Sequence, residues 1–164
     1  MLADLNSFVD GRQLDDNVHV LLRFEGGAKG MLWASQVAPG NENGLRLRIY
    51  GDKAGLSWSQ ENPNYLMFSP LGEPSRLLGR GGPGLTGAAE RVTRIPPGHP
   101  EGYLEGFATI YREVADAIEA KRNGKDQPDE VTFPDLEEGL QGMRFVDAVL
   151  RSHKNGGVWT SLNS

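Results

Sequence analysis

The sequence predicts an α+β domain with an open, mainly antiparallel sheet and two C-terminal helices packed on one of its faces. Up to about residue 95, apolar and polar residues alternate in short runs that are separated by turn residues. From residue 101 onward the apolar residues recur at helical spacing instead. Strands joined by short connections pair antiparallel, and strands followed by helices are typical of the α+β class.

The first half of the chain predicts strands joined by tight turns. The segments that carry the strand pattern are LADLNSFV, VHVLLRF, AKGMLWASQV, LRLRIYG, the stretch around Leu56 and Trp58, NYLMFSP and SRLLG. In VHVLLRF the apolar residues at every second position, beginning at Val18, share one face, as in a strand with one buried side. The glycine-rich FEGGAKG that follows predicts a hairpin turn into the next strand.

The second half predicts two amphipathic helices. The first begins at about residue 101 and ends near Gly124, and its apolar stripe comprises Tyr103, Phe107, Ile110, Tyr111, Val114 and Ile118. The second begins near Thr132, because Thr132 and Asp135 have capping-box spacing and Pro134 suits a first turn. Its apolar stripe comprises Leu136, Leu140, Met143, Val146 and Leu150.

Length and composition limit the possible classes of protein. A chain of 164 residues with 38% hydrophobic and 24% charged residues is typical of one soluble globular domain, here residues 1–164. The net charge of -5 argues against nucleic acid and anionic membrane as partners. No apolar run reaches membrane-spanning length, and the first residues lack the basic and apolar blocks of a signal peptide. We therefore expect a cytoplasmic protein, and the absence of cysteine fits that expectation.

One face of the predicted sheet is unusual for a solvated surface. In LRLRIYG, Arg46, Arg48 and Tyr50 alternate with apolar residues, and Met31 and Trp33 share a face of another strand. Arginine, tyrosine, tryptophan and methionine are enriched in protein interfaces. The pattern leaves two alternatives open, a simply solvated face and a surface for self-association.

The segment GRGGPG, Gly79 to Gly84, matches the spacing of a dinucleotide-binding loop. That chemistry requires the glycines to open a helix that is followed by a parallel strand with an acidic residue. Here Pro83 interrupts the motif and a long helix follows in place of a strand. The sequence therefore favours a flexible loop.

His99 and Glu101 precede the first long helix and allow three interpretations. A metal site lacks partners at coordinating spacing. A helix start accounts for Pro100 and Glu101, because an acidic first turn complements the helix dipole. A neutral imidazole near a helix N-terminus could also donate and accept hydrogen bonds with a polyhydroxyl ligand. The residues alone predict no catalytic mechanism, since no serine lies on a nucleophile elbow.

Three segments in this order resemble a known family. NVHVLLRFEGGAKGMLWASQVAPGNENGLRLRIYGDKAGLSW, PPGHPEGYLEGFATIYREVADAI and VTFPDLEEGLQGMRFVDAVLRSHKNGGVWTSL are similar to the C-terminal domain of the glucose-fructose oxidoreductase / inositol dehydrogenase (Gfo/Idh/MocA) family. The resemblance covers nearly the whole chain. It implies an open sheet that shapes a substrate site and makes the contacts of a homo-oligomer.

The resemblance also implies an activity that is divided between two domains. Family members are NAD(P)-dependent oxidoreductases of sugars, cyclitols and related polyols, and their N-terminal Rossmann domain binds the cofactor. The nucleotide fingerprint, the lysine of the Glu-Lys-Pro motif and the catalytic Asp and His all precede the region matched here. We therefore expect a C-terminal fragment that is inactive alone, binds no cofactor or metal and has no catalytic residue, with NAD or NADP bound by the full-length enzyme. The alternative is a stand-alone, non-catalytic interaction or ligand-binding module.

Four residues are carried over as substrate-binding candidates. His99, Glu101 and Tyr103 fall on the GHPEGY segment, and Gln36 falls on the strand end before APGNEN. In the family both segments lie towards the substrate. Their expected role is to bind and orient a polyol, and the alternative for each is to cap a helix or brace a loop.

Overall fold

A computed structural model describes residues 1–163. It contains seven strands, which are β1 (Leu2–Asn6), β2 (Asn17–Arg23), β3 (Lys29–Ser35), β4 (Arg46–Tyr50), β5 (Ala54–Ser59), β6 (Tyr65–Pro70) and β7 (Arg76–Gly79). Its helices are α1 (Gly87–Arg91), α2 (Tyr103–Arg122) and α3 (Leu136–Lys154). The predicted α+β class with antiparallel pairing is confirmed, and the short helix α1 is an element that the sequence analysis did not predict.

The chain divides into two compact units. Unit 1 comprises residues 1–41 and 134–164, and unit 2 comprises residues 42–133. Each unit contains one antiparallel sheet, with the order β1-β2-β3 in unit 1 and β4-β5-β6-β7 in unit 2. The strands thus form two sheets where the sequence predicted one. Within residues 1–163, no helix combines the length and the apolar character needed to cross a bilayer.

The core of unit 1 lies between its sheet and α3. Ala3 and Leu5 of β1 are paired with Val20 and Val18 of β2, so that their side chains share one face. Ala3, Leu5 and Val20 are buried there against Val149 of α3. The alternation seen in VHVLLRF therefore predicts the buried face of β2 correctly, and the hairpin predicted at FEGGAKG is confirmed by the bond from the Phe24 amide to the Ala28 carbonyl at 2.9 Å.

The orientation of α3 differs from the prediction. Its buried residues are Ala148, Val149 and Ser152, whereas the predicted stripe is exposed, with Leu136 90% and Met143 67% accessible. The helix also begins later than expected, because Asp135 is the N-cap and exchanges hydrogen bonds with Glu138 in a capping box. The helix therefore has two apolar faces, and the narrower one packs on the sheet.

Ser152 joins three segments of unit 1. Its hydroxyl oxygen accepts a hydrogen bond from the Ala3 amide at 2.9 Å and donates one to the Val158 carbonyl at 2.7 Å. The Met1 and Thr160 backbones are also hydrogen bonded to each other, which ties the last residues to the start of the chain. The Arg23 guanidinium lies 3.7 Å from the centre of the Trp159 ring.

In unit 2 the edge strand β4 is exposed on both faces. Tyr50 is 75% exposed, and Leu47 and Ile49 on the opposite face are also more than half exposed. Because β4 pairs only with β5, it has one neighbouring strand, and no helix of unit 2 buries either of its faces. The strict alternation in this segment therefore predicts the strand but not the burial of its apolar side.

Helix α2 starts two residues later than predicted. Gly102 is the N-cap residue, and the Glu105 carboxylate accepts a hydrogen bond from the Gly102 amide at 2.7 Å. The predicted apolar stripe is again largely exposed, and the buried residues of the helix are Glu113 and Ala120. Within unit 2 the helix is attached mainly through its polar side, on which Glu105, Thr109 and Glu113 lie.

Candidate functional site

Unit 2 contains a pocket of about 310 Å³. Side chains of β6, β7 and the segment around α1, among them Leu66, Leu78 and Val92, form its apolar wall. The remaining lining includes Arg80, Glu101 and the first turns of α2. A few polar groups against an apolar wall are typical of small-ligand pockets, although this volume is at their lower limit.

Glu101 lies at the edge of this pocket, before α2 rather than in its first turn. Its side chain is only 3% exposed, and its carboxylate is 2.7 Å from the Arg80 guanidinium. The Arg94 amide donates to both carboxylate oxygens, at 2.9 and 3.1 Å. The helix-dipole role predicted for Glu101 is therefore wrong, because the carboxylate folds back onto the preceding loop and Glu105 takes the capping position instead.

Arg80, the second residue of GRGGPG, uses every donor of its guanidinium. Nε donates to the Asn64 side chain at 2.8 Å, and Nη1 donates to the Ile95 carbonyl at 2.9 Å in addition to its ion pair with Glu101. Nη2 donates to the carbonyls of Pro96 and His99, at 3.2 and 2.7 Å. No sequence motif indicates this residue, because its partners lie 15 to 21 positions away with no recognisable spacing.

His99 and Tyr103 present their side chains to solvent. The His99 amide donates to the Pro96 carbonyl at 3.3 Å, whereas its imidazole makes no hydrogen bond to the described residues. The Tyr103 side chain is 64% exposed, and its ring lies 5.1 Å from that of Phe107. Both side chains are therefore accessible to a ligand, whereas the carboxylate of Glu101 is already fully engaged.

Two further carboxylates stabilise unit 2. The Gly102 amide hydrogen bond lowers the pKa of Glu105 below its ordinary value. Glu113 accepts a hydrogen bond from the Thr132 amide at 2.9 Å and pairs with Arg91 at 2.8 Å. The Thr132 amide, with Arg91 in support, lowers the pKa of Glu113. Both groups are thus held in the charged form by donors of their own unit.

Gln36 belongs to unit 1, whereas the other three candidates belong to unit 2. It follows β3, its backbone amide donates to the Asp16 carbonyl at 2.7 Å, and its side chain is exposed. The Asp16 carboxylate accepts hydrogen bonds from the Phe8 and Val9 amides, and the Phe8 contact is the largest cause of its lowered pKa. These contacts order the strand end that carries Gln36.

An aromatic cluster lies on the exposed face of the same sheet. The rings of His19 and Trp33 are stacked with their centres 6.1 Å apart, and the Trp33 indole donates to the Asn17 side chain at 2.8 Å. The predicted hairpin turn at FEGGAKG pairs β2 with β3, and in that register His19 lies opposite Trp33. Counting back from the turn along both strands is the signal that could have found this cluster.

The GRGGPG segment does not have the structure of a dinucleotide-binding loop. The strand before GRGGPG, β7, pairs antiparallel with β6, and the helix that follows has only five residues. Gly81 of the segment packs against Pro97 instead of facing a helix end. Within residues 1–163, no group of three or more acidic or histidine side chains could hold a metal ion.

Comparison with known proteins identifies relatives over almost the whole chain. Residues 3–162 match the family model described as "Oxidoreductase family, C-terminal alpha/beta domain", Gfo/Idh/MocA. The uncharacterized oxidoreductase YfiI of Bacillus subtilis (strain 168) is 38% identical over 161 residues, which are 97% of this chain and 41% of that protein.

Solved structures agree in fold. An oxidoreductase from Sinorhizobium meliloti is 58% identical with a TM-score of 0.93, over 98% of this chain and 45% of its own. An inositol dehydrogenase homolog from Azotobacter vinelandii, complexed with NADH and myo-inositol, is 36% identical with a TM-score of 0.92, over 98% of this chain and 43% of its own. The chain thus spans less than half the length of each of these relatives.

Proposed function

The chain belongs to the Gfo/Idh/MocA oxidoreductase family, as its C-terminal alpha/beta domain, and on that premise we propose that it forms the substrate side of an NAD(P)-dependent oxidoreductase of a sugar, cyclitol or related polyol. The observation that carries this proposal is the likeness to the Azotobacter vinelandii homolog, which was solved with NADH and myo-inositol.

In this proposal, substrate binding and cofactor binding belong to different domains of a longer protein. Residues 1–164 serve as one C-terminal domain for substrate binding and oligomer contacts, and a Rossmann domain elsewhere in the protein holds the nicotinamide. The exposed apolar stripes of α2 and α3 support this division, because such surfaces are normally covered by another domain or subunit. The cytoplasmic location expected from the sequence stays a prediction.

The residues of this chain bind and orient the polyol rather than carry out the redox step. Bound nicotinamide supplies or accepts the hydride. The exposed imidazole of His99 and the hydroxyl of Tyr103 can each donate and accept hydrogen bonds, which suits vicinal hydroxyl groups. Glu101 contributes by holding the loop before it, since its own oxygens are occupied. The polyol-binding role of Gln36, which lies in unit 1, stays a separate prediction.

We also propose a homo-oligomer formed through exposed sheet faces. On the three-stranded sheet, Leu21, Met31 and Trp33 lie on one face and are 48%, 72% and 57% exposed. On the four-stranded sheet, Arg46, Arg48 and Tyr50 share one face of β4. Exposed apolar and aromatic side chains of this kind are enriched in subunit interfaces.

Replacing His99 tests the proposed substrate contact. In the enzyme that contains this chain, His99→Ala is expected to raise KM for myo-inositol or another accepted polyol by about tenfold, since one hydrogen-bonding group is lost. KM for the nicotinamide cofactor is expected to stay unchanged. Lys125→Ala, at an exposed position in the loop after α2 and outside the apolar stripes, is the control and should change neither constant. A polyol KM that is unaffected by His99→Ala would contradict the proposed site.

A further inference from the structure

The glycine-rich segment GRGGPG at the end of β7 contributes no substrate contact in the proposed function. Its Arg80 is bound to the loop formed by residues 95–99, at whose end His99 lies. We propose that Arg80 is a positioning residue, which fixes the His99 backbone so that the imidazole is presented to the polyol. This inference rests on the proposed function of His99 and extends it to a residue that makes no contact with substrate.

The first support is the convergence of three backbone carbonyls on one guanidinium. The carbonyl oxygens of Ile95, Pro96 and His99 lie 2.9, 3.2 and 2.7 Å from Arg80 nitrogens. The shortest of these contacts is to His99 itself. Three carbonyls held at one point set the curvature of the loop and the direction in which residue 99 leaves it.

The second support is the anchoring of the guanidinium on its other side. Arg80 pairs with the buried Glu101 at 2.7 Å and with the Asn64 side chain at 2.8 Å, and the same Asn64 oxygen accepts the Glu101 amide at 3.2 Å. Arg80 therefore cannot move without separating a buried ion pair. A guanidinium fixed in this way transmits a defined position to the carbonyls that it binds.

Gly81 contributes a separate contact to the same loop. Its φ of +71° is in the left-handed region, and a Cβ at this position would lie 3.2 Å from the Pro97 side chain. A glycine here lets Pro97 approach the backbone after β7. Two successive residues of the segment, Arg80 and Gly81, thus contact the loop that carries His99. These contacts give the glycine-rich segment a structural role other than dinucleotide binding.

A second arginine–glutamate ion pair in the same unit provides a control for the substitution of Arg80. Arg91 pairs with Glu113 at 2.8 Å, as Arg80 pairs with Glu101, but Arg91 makes no hydrogen bond to residues 95–99. Lysine at either position would keep the positive charge and lose the planar fork that binds several acceptors at once. Arg80→Lys and Arg91→Lys therefore differ in their effect on the His99 loop and not in the chemistry of the substitution.

The test combines NMR measurements of the loop of residues 95–99 with steady-state kinetics. In ¹⁵N-labelled chain, Arg80→Lys is expected to speed amide exchange and shift the imidazole resonances at His99, and Arg91→Lys is expected to leave both unchanged. In the enzyme that contains the chain, Arg80→Lys is expected to raise KM for the polyol by about tenfold, with KM for the cofactor unchanged. Gly81→Ala is expected to displace Pro97 and leave the ion pair intact, and we again expect a higher KM for the polyol with an unchanged KM for the cofactor. If Arg80→Lys does not fold, Gly81→Ala tests the positioning role in its place.

The possible results separate the two proposals. Unchanged exchange and resonances at His99 in the folded Arg80→Lys chain would overturn the positioning role. The role is also overturned if His99→Ala raises the polyol KM while Arg80→Lys and Gly81→Ala do not. If His99→Ala itself has no effect, the proposed function of His99 fails, and the inference about Arg80 fails with it.

Discussion

Removing the hydroxyl of Ser152 tests how unit 1 is held together. Ser152 is fully buried in α3, where it bridges the Ala3 amide of β1 and the Val158 carbonyl of the final segment. In Ser152→Ala the alanine methyl group fills nearly the same space. The change therefore removes two hydrogen bonds without a large cavity.

The cost follows from what each partner loses. Ala3 is fully buried, so its unpaired amide costs about 1–3 kcal/mol. The Val158 carbonyl keeps a hydrogen bond from the Thr160 hydroxyl at 3.1 Å, so that its lost bond counts for only about 1 kcal/mol. The free energy of unfolding is therefore expected to fall by about 2–4 kcal/mol.

Urea denaturation followed by circular dichroism measures this loss. With a denaturant slope of about 2 kcal/mol per molar, the midpoint is expected to fall by about 1–2 M. Ser7→Ala, at an exposed serine, is the control and should change stability by no more than about 0.5 kcal/mol. A midpoint for Ser152→Ala within about 0.3 M of the parent would show that the Ala3 amide does not depend on Ser152.

Three other predictions concern the surface, the acid range and the cofactor. Tyr50→Glu, on the exposed face of β4, is expected to shift the chain towards monomer in sedimentation velocity, because a charge would be buried in the proposed interface; an unchanged profile would argue against that interface. Asp16, Glu105 and Glu113 have lowered pKa values in the folded chain, so the stability they provide is present above their ordinary values of 3.8 to 4.5 and is lost as the pH falls through the folded values. Urea midpoints should therefore drop below about pH 4.5, and the drop should be shallower in Glu113→Gln; equal slopes would exclude Glu113 as a contributor. The chain alone is expected to show no NADH binding in a fluorescence titration, because GRGGPG does not open a helix that could hold a pyrophosphate; binding in the micromolar range would contradict this.

The strands could be predicted from the sequence because their signal is local. Alternation with a period of two and the turn residues between the runs indicate β1 to β7, and each of these segments forms a strand. The two long helices, α2 and α3, were predicted for the same reason, with starts displaced by two to four residues. Those displacements arise because the capping side chains, Glu105 and Asp135, compete with other candidates that look equivalent in sequence.

The candidate site could be predicted only in part. GHPEGY drew attention to His99, Glu101 and Tyr103 through resemblance to a family, and whether they contact substrate stays a proposal. Arg80 was missed because it lies 21 residues before Glu101, with which it pairs. An ion pair at that separation depends on how the loop after β7 contacts the loop before α2. The periodicity of the sequence contains no information about this contact.

The sequence by itself determined the α+β class, the order of the strands and of the two long helices, and the family, because propensity, alternation and motif order are properties of neighbouring residues. The tertiary structure alone decided which face of each helix is buried. Both α2 and α3 carry an apolar stripe that periodicity detects, yet they attach within their units through Glu113 and through Ser152 with Val149. Periodicity reports that a face is apolar, whereas burial depends on which surface lies opposite, and that is set by contacts between residues far apart in the chain.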